Sequence, residues 1–549
     1  MYNHEAPNGT PADSFSPIIP ENLITDTEPT LDEIKAVIKV LKTGKAAGID
    51  NVRAEALIAG GEQLEQHLHS LICIIWQSEQ IPISWKKAIV VPVLKKGDSS
   101  VCKSNRGISL LSILAKVFTK IIQLRLQNHR EETSREEQAG FRPNRGCCDQ
   151  IFTLKQLLEK RVRCGKRLVI VFVDFRAAFD SVHWPALWRS LHAEHIPEKV
   201  MHLLQNMYNN SSSCVRVGNV TSDEFSIKTG VRQGCVISPL LFNTVVDAIM
   251  RKVFNDKGGI QYGAEGFITD LMFADDSAIF AESDAEATNI LHDIAIVAEP
   301  YGLKINSDKT KVLTSDGSPA IVFLNNLQIE QVKEFKYLGS YVQEKKIDSS
   351  FDIQNRIGQA STAFGSLNWC IWKKNNISLQ TKMRLYRSII LPILLYGSET
   401  WTTLKIDLKK LEVFQMQCLR RILGVSLLNH LHNETIRVRC NNQPKIEEIV
   451  QHRRLLWFGH LCRMNEERIP HNMLWKNKPD NWKISSSAPK KTWLKQIDND
   501  LKNSRISVEE AKIKALDRRS WKTIVRNVHN PAAPTTAYWL RGQPRPTAS

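Results

Sequence analysis

The chain has 549 residues, 42% of them hydrophobic, and its 74 lysines and arginines against 57 aspartates and glutamates give a formal net charge of +17. Such a length allows several subdomains with a large core, and the charge favours a polyanionic partner such as nucleic acid, although a lysine excess can also serve solubility alone. The 11 cysteines show no paired spacing, no apolar signal segment opens the chain and no apolar run has the length of a membrane span, so the sequence predicts an intracellular protein without disulfides or membrane contact.

The N-terminal region is predicted to begin with a disordered segment. Residues 1–28 are rich in Pro, Asn, Thr and Ser, a composition typical of unfolded chain. Thr30 and Glu33 then form a capping-box pattern, and the apolar residues that follow repeat at helical spacing as far as Gly44. We therefore expect order to begin at Thr30.

A basic turn follows the first predicted strand. The strand covers residues 88–94 and ends in Lys95, Lys96, Gly97 and Asp98. An apolar run that stops at a charged, glycine-containing stretch is typical of a hairpin.

Two places in the middle of the chain present carboxylates at the ends of apolar segments. Residues 168–173 lead into Asp174, and residues 268–273 and 278–281 flank the pair Asp275 and Asp276. This pattern predicts one buried strand and two short strands that turn on the aspartate pair. An aspartate pair alone is most often an ordinary turn.

If these strands are neighbours in one sheet, the three carboxylates meet at one place. Like charges that close raise one another's pKa unless divalent cations neutralise them. The sequence therefore predicts a two-metal site for nucleotidyl transfer, with Asp174, Asp275 and Asp276 as catalytic residues and with Asp174 and Asp275 as metal ligands.

Three further elements are predicted around these carboxylates. Residues 176–191 are expected to form one helix packed on the sheet. Residues 230–242 indicate a tight turn and then a helix with Ser238 as N-cap and Pro239 as its first residue. Residues 283–299 indicate an acidic helix.

The C-terminal third is predicted to be helical and basic. Residues 349–425 carry apolar residues at helical spacing, and residues 445–526 are rich in Lys and Arg. Tryptophans among these cations suit either stacking on exposed bases or, as we favour, the core of a small helical domain. They are Trp457, Trp475, Trp482, Trp493 and Trp521.

An ordered series of motifs resembles the reverse transcriptase of non-LTR (LINE-type) retrotransposons, most closely the RTE-like group. The motifs are KAAGID (45–50), NRGISLL (105–111), AGFRP (139–143), DFRAAFD (174–180), GVRQGCVISPLLF (230–242), FADD (273–276), GLKINSDKTK (302–311) and FKYLGS (335–340).

The resemblance implies an α+β fold, a right-hand polymerase with fingers, a palm built on an antiparallel sheet, a helical thumb and a basic helical C-terminal domain. The implied divisions are residues 1–28 as a disordered segment, 29–165 as N-terminal extension and fingers, 166–345 as palm, 346–440 as thumb, 441–528 as C-terminal domain and 529–549 as a disordered tail. The reverse transcriptase domain itself would cover about residues 85–345.

The implied function is DNA synthesis on an RNA template from a primer 3′-hydroxyl. The implied partners are an RNA template, a DNA primer or target and dNTPs, with two Mg²⁺ ions, replaceable by Mn²⁺, as cofactors. The family resemblance also places such a protein in the cytoplasm and nucleus. Full-length relatives carry an upstream endonuclease domain, for which the sequence before Thr30 leaves no room, so we expect no nicking activity of its own.

The resemblance also assigns roles around the carboxylates. Lys95 or Lys96, together with Arg106, would hold the incoming triphosphate, since Lys supplies point charge and Arg a fork of donors. Gln233 and Gly234 would lie against the template base and the incoming nucleotide. Leu338 and Gly339 would be the centre of the primer grip, a hairpin that positions the primer end.

Two assignments keep an alternative. Phe179 matches the steric gate, a ring beneath the deoxyribose that leaves no room for a 2′-hydroxyl, but a lone Phe is more often ordinary core. Lys309 matches a lysine near the leaving pyrophosphate, where it would act as general acid, but it also suits a surface salt bridge. Asp180 is expected to be structural.

Two rival functions share the fold. One is a decayed or domesticated copy that only binds nucleic acid, against which the retention of all three carboxylates argues. The other is an RNA-synthesising polymerase. Phe179 argues against it, because a steric gate at this position would exclude ribonucleotides.

Overall fold

The structure is a computed structural model in which residues 24–95, 97–98, 100–502 and 505–527 are described. Lys96, residues 1–23 and the predicted C-terminal tail lie outside the described residues. Residues 24–28 pack against the first helices, because Trp76 Nε1 donates to Asp26 O at 2.8 Å. The prediction that residues 24–28 are disordered is therefore wrong.

The N-terminal third contains mainly helices and a hairpin. In chain order its elements are α1 (Leu31–Lys39), α2 (Ala54–Ala59), α3 (Gly61–Ser78), α4 (Ile83–Lys86), β1 (Lys87–Leu94), β2 (Asn105–Leu110), α5 (Ile113–Thr133) and α6 (Cys147–Arg163). Both halves of the predicted capping box of α1 are present, since Glu33 N donates to Thr30 Oγ1 and Thr30 N donates to Glu33 Oε2. The helix ends at Lys39, before the predicted stop at Gly44.

The central third alternates strands and helices. Its elements are β3 (Val169–Val173), α7 (Ala178–Ser181), α8 (Trp184–Ala193), α9 (Glu198–Tyr208), β4 (Ser212–Val217), β5 (Val220–Thr221), β6 (Phe225–Ser226), α10 (Ser238–Phe254), β7 (Ile260–Gly263), β8 (Gly266–Ile268), β9 (Asp270–Phe273), β10 (Asp276–Ala281), α11 (Asp284–Ala298), β11 (Lys311–Thr314), β12 (Phe323–Leu324), β13 (Leu327–Gln328), β14 (Glu334–Tyr337) and β15 (Ser340–Gln343).

The C-terminal third is helical, as predicted. Its elements are α12 (Ser350–Ser366), a π-helix (Asn368–Trp372), α13 (Leu379–Leu385), a second π-helix (Tyr386–Ile390), α14 (Leu391–Leu394), α15 (Lys405–Leu423), α16 (Asn433–Arg439), α17 (Ile446–Cys462), α18 (Ile469–Trp475), α19 (Trp493–Leu501), α20 (Val508–Lys514) and α21 (Arg518–Asn527).

The central sheet has four antiparallel strands in the order β11-β3-β10-β9. Strand β3 is buried along its whole length, as its continuous β-branched and aromatic sequence predicts. Its last residue, Val173, pairs with Ser277 of β10, and Asp276 pairs with Phe273 of β9. The end of β3 therefore lies beside the β9–β10 turn, and the predicted antiparallel sheet is confirmed.

A second sheet has five strands, with β2, β1, β4 and β5 in that order and β6 paired with β4. Strand β1 pairs antiparallel with β2, with Val93 opposite Arg106, and parallel with β4, with Lys87 opposite Ser212. The hairpin predicted from the basic turn is therefore present, and β4 joins it to the central third of the chain.

The C-terminal tryptophans form a core, which agrees with the interpretation we favoured. Trp482, Trp493 and Trp521 are buried, and Trp493 packs edge-on against Phe152 of α6 with ring centroids 4.8 Å apart. The C-terminal helices are thus packed on the helix that precedes β3.

The prediction of one helix over residues 176–191 is wrong. The chain forms α7 and α8 instead, because Val231 N donates to Phe179 O and Gly230 N donates to Val182 O at 2.8 Å, which diverts carbonyls that one continuous helix would use. Pro185, at the start of α8, has no backbone N–H to donate to a carbonyl of α7, so it could not continue a single helix.

The predicted cap of α10 is also displaced. Ser238 is the first helical residue and Ile237 occupies the cap position, although Pro239 does lie in the first turn. The acidic helix α11 is confirmed, and Ser283 accepts from Glu286 N at its start. Among the residues described, no helix has the length and apolar character needed to cross a membrane.

Candidate active site

Three carboxylates converge at the end of the central sheet. Asp174 follows β3 directly, and Asp275 and Asp276 lie at the β9–β10 turn beside it. Burial and the charge of Asp174 raise the pKa of Asp275. Although Asp276 is exposed to solvent on one side, desolvation by the surrounding protein and the charges of Asp275 and Asp174 raise the pKa of Asp276 to about 6. The three groups are therefore close enough for mutual repulsion, as the sequence predicted.

Cations from two other motifs partly offset this repulsion. Lys309 Nζ lies 3.1 Å from Asp174 Oδ2 in an ion pair whose lysine side chain is 67% exposed. The charges of Arg106 and Lys309 act to lower the pKa of Asp275. Lys309 therefore forms a salt bridge, one of the two roles expected for it, and its partner is the catalytic candidate Asp174.

Asn306 holds Asp174 from the same segment as Lys309. Its backbone N–H donates to Asp174 O at 2.8 Å, and its Nδ2 donates to Asp174 Oδ2 at 3.3 Å. Asn306 lies within the GLKINSDKTK motif, but no role could be predicted for it because nothing in the local pattern shows which strand the amide faces.

The carboxylates fit divalent cations of the Mg²⁺ type. In the described part of the chain, no group of three or more His, Cys, Asp or Glu side chains is arranged to hold a metal by itself. Mg²⁺ is usually held by one or two carboxylates together with waters and substrate phosphates. Two carboxylates with raised pKa values, Asp275 and Asp276, beside Asp174 agree with such a site.

Phe179 lies between two aromatic rings. It stacks on Phe242 with ring centroids 4.3 Å apart and meets the edge of Phe141 at 6.3 Å. Its side chain is half-buried. Phe179 is thus partly core and partly available to a ligand, so the geometry is compatible with both interpretations.

The predicted nucleotide contacts Gln233 and Gly234 connect α7 to the β1–β2 hairpin. Gln233 Nε2 donates to both carboxylate oxygens of Asp180, at 3.0 and 3.1 Å, which agrees with the structural role expected for Asp180. Gly234 has φ +118°, and a Cβ there would lie 2.5 Å from Ser109 O on β2. Only glycine allows this contact between the turn and the β1–β2 hairpin.

The basic hairpin presents its cations to solvent. Lys95 and Arg106 are both exposed, at the end of β1 and on β2. Arg106 faces the site closely enough to act on Asp275, whereas no contact of the Lys95 side chain with the carboxylates is seen among the described residues. Lys96 lies outside the described residues.

The predicted primer-grip hairpin is present as β14 and β15. Leu338 and Gly339 form its turn, both with positive φ. Tyr396 Oη donates to Leu338 O at 2.9 Å, and Arg356 donates to Gly339 O. The sequence analysis missed these two supports because each is distant in the chain from the turn that it holds.

Gln138 is a further residue that the sequence analysis missed. It directly precedes the AGFRP motif and is fully buried against the turn that carries Asp275. The motif beside it was the only signal in the sequence.

Comparisons with known proteins agree with this geometry. Residues 93–342 match the family model for reverse transcriptase (RNA-dependent DNA polymerase). The chain is 27% identical over 408 residues to an RNA-directed DNA polymerase from the mobile element jockey of Drosophila melanogaster, which covers 72% of this chain and 44% of that protein. It is 25% identical over 434 residues to a probable RNA-directed DNA polymerase from transposon BS of the same species, covering 77% and 47%.

The chain spans less than half the length of these two curated relatives. Among solved structures, apo telomerase from Candida tropicalis truncated from its C-terminal domain is similar at 14% identity and a TM-score of 0.35, covering 51% of this chain and 60% of that one.

Proposed function

We propose that this chain, whose residues 93–342 match the family model for reverse transcriptase, is the RNA-directed DNA polymerase of a non-LTR retrotransposon. It would add dNTPs to a primer 3′-hydroxyl on an RNA template. The observation that carries the proposal is the meeting of Asp174, Asp275 and Asp276 at one end of an antiparallel sheet.

The carboxylates would hold the cations and orient the reacting groups. Bound Mg²⁺, or Mn²⁺ in its place, would supply charge neutralisation at the attacking hydroxyl and the leaving pyrophosphate. Asp174 and Asp275 would hold it, because Asp174 ends the buried β3 and Asp275 lies on the turn beside it. Asp276 adds negative charge beside them.

Lys309 would serve the leaving group. Its ion pair with Asp174 is exposed, so its ammonium group is free to exchange a carboxylate for a phosphate oxygen. From that position Lys309 Nζ could pass a proton to pyrophosphate as general acid.

The nucleotide would bind between the basic hairpin and the sheet. Arg106, with Lys95 or Lys96, would bind the triphosphate, and the backbone at Gln233 and Gly234 would contact the base pair. The ring of Phe179 would exclude a 2′-hydroxyl. Leu338 and Gly339, held by Tyr396 and Arg356, would support the primer end.

The subdomain assignment belongs to the same proposal. Residues 29–165 would be the N-terminal extension and fingers, 166–345 the palm, 346–440 the thumb and 441–528 the C-terminal domain. The helical segment after β15 and its separate apolar core support a thumb.

Primer extension on an RNA template tests the function. Wild type should extend a DNA primer with dNTPs and Mg²⁺, and Asp174→Asn and Asp275→Asn should each lose extension while still binding the primer–template. Asp293→Asn is the matched control, because it removes an acid of α11 that pairs with Lys257 away from the site.

The outcomes separate the proposal from its rival. Equal extension by the Asp275→Asn variant and wild type would refute the site assignment. Tight binding of primer–template by a wild type that extends nothing would instead favour a nucleic-acid-binding remnant.

A further inference from the structure

Gln138 binds the backbone of the turn that carries Asp275. Its side chain is 0% exposed, and its Oε1 accepts two hydrogen bonds, from Ala274 N at 2.9 Å and from Gly140 N at 2.8 Å. Its Nε2 lies 3.4 Å from Ala274 O. One buried amide side chain therefore contacts both polar groups of the residue that precedes Asp275.

Ala274 has a backbone conformation that needs external support. Its φ is +57°, in the left-handed region that residues with a Cβ seldom adopt. Such a conformation persists when the surrounding structure determines it. Since Asp275 is the next residue, the conformation of Ala274 sets the direction in which the carboxylate leaves the turn.

The segment around Gln138 lies directly against the turn. A Cβ at Gly140 would lie 2.2 Å from Ala274 N, so the two backbones touch. The segment is itself fixed, because Asn243 Nδ2 of α10 donates to Gly140 O at 2.7 Å and Ala139 N donates to Met272 O at 2.9 Å. The segment of Gln138 is therefore held in place, and the hydrogen bonds of Gln138 in turn hold the Ala274 peptide.

From this geometry we infer that Gln138 is a positioning residue for Asp275. Because its side chain is fully buried, it would act by holding the Ala274 peptide rather than through a direct contact with substrate. Without its acceptor, the Ala274 N–H would be buried and unsatisfied, so the turn would relax and the carboxylate would move. The inference rests on the proposed polymerase function for its catalytic consequence, but its structural consequence stands independently.

Gln150 of α6 provides a matched control. It is also a buried glutamine, and its Nε2 donates to Glu137 O at 2.7 Å and to Met272 O at 2.9 Å. Gln150→Leu therefore removes two buried hydrogen bonds from the same two segments but leaves the partner of Ala274 N in place. General destabilisation of the region should affect both leucine variants.

Hydrogen exchange tests the structural part without any activity. In the full-length protein, the Ala274 amide should exchange about tenfold faster in Gln138→Leu than in wild type, since it loses its only acceptor in the described structure. Gln150→Leu should leave that amide protected. Gln138→Glu should also keep it protected, because a carboxyl oxygen accepts the same N–H. Equal protection in Gln138→Leu and wild type would overturn the inference.

Primer-extension kinetics test the catalytic part. Gln138→Leu should lower kcat on the order of 10- to 100-fold with KM for dNTP nearly unchanged, because a displacement of about 1 Å at a reacting group has effects of that size. Gln150→Leu should retain kcat. An equal fall in both variants, or none in Gln138→Leu, would overturn the positioning role. Absence of extension by wild type would count against the polymerase proposal, and the exchange result would still decide whether Gln138 holds the turn.

Discussion

Replacing Phe179 with valine separates a steric gate from ordinary core packing. The ring is half-buried, stacked on Phe242 at 4.3 Å and in edge contact with Phe141. Complete truncation of a buried Phe costs about 3–5 kcal/mol, and valine keeps part of the volume at a site that is only half-buried. We therefore expect Phe179→Val to lower the free energy of unfolding by about 1–3 kcal/mol.

If the ring is a gate, the variant should also change sugar selection. Removing a contact of this size changes discrimination by about 10- to 200-fold, so the ratio of kcat/KM for dNTP over rNTP should fall by that factor. The assay is single-nucleotide extension with each nucleotide, combined with chemical denaturation. Phe118→Val is the control, because Phe118 is fully buried between Trp76 and Trp85 and should lose stability without altering the ratio. An unchanged ratio in a folded Phe179→Val protein would refute the gate.

Two further predictions concern charge. The folded protein raises the pKa of Asp276 from an ordinary value of 3.8 to about 6. Ionisation of Asp276 therefore lowers the free energy of unfolding, by an amount that grows from about pH 4 to pH 6 and stays constant above pH 6. A pKa shift of this size corresponds to about 3 kcal/mol, but solvent screens an exposed side chain, so the effect on stability should be smaller. In EDTA at pH 7, we therefore expect Asp276→Asn to be more stable than wild type by on the order of 1 kcal/mol. Urea denaturation should show that the difference disappears near pH 4, and a less stable variant at pH 7 would contradict the electrostatic account. Binding to an RNA–DNA hybrid should weaken steeply with salt and depend little on sequence, since the net charge is +17 and contacts would be made to phosphates. Fluorescence anisotropy across a salt series measures this, and salt-independent affinity would contradict it.

The sequence predicted the parts of the fold that local patterns determine. The continuous apolar run before Asp174 gave β3, and the two apolar segments around Asp275 and Asp276 gave β9 and β10. The capping pattern at Thr30 predicted the start of α1, and the acidic helix predicted over residues 283–299 is present as α11. Each of these signals lies within a few residues of the structure that it produces.

The sequence could not show contacts between distant segments. The two helices α7 and α8 were predicted as one because the hydrogen bonds that divide them come from Gly230 and Val231. Gln138 lies 136 residues from Ala274, and the contact depends on burial that no periodicity reveals. The support of Leu338 by Tyr396 was missed for the same reason.

Single-nucleotide incorporation shows whether Asp275 is required for DNA synthesis on an RNA template. A DNA primer annealed to an RNA template is given Mg²⁺ and one dNTP at a time, with wild type and Asp275→Asn at concentrations that saturate binding. The account predicts that wild type adds only the dNTP complementary to the template base and that Asp275→Asn binds equally well but adds none. Incorporation by Asp275→Asn at the wild-type rate, or none by wild type, would contradict it.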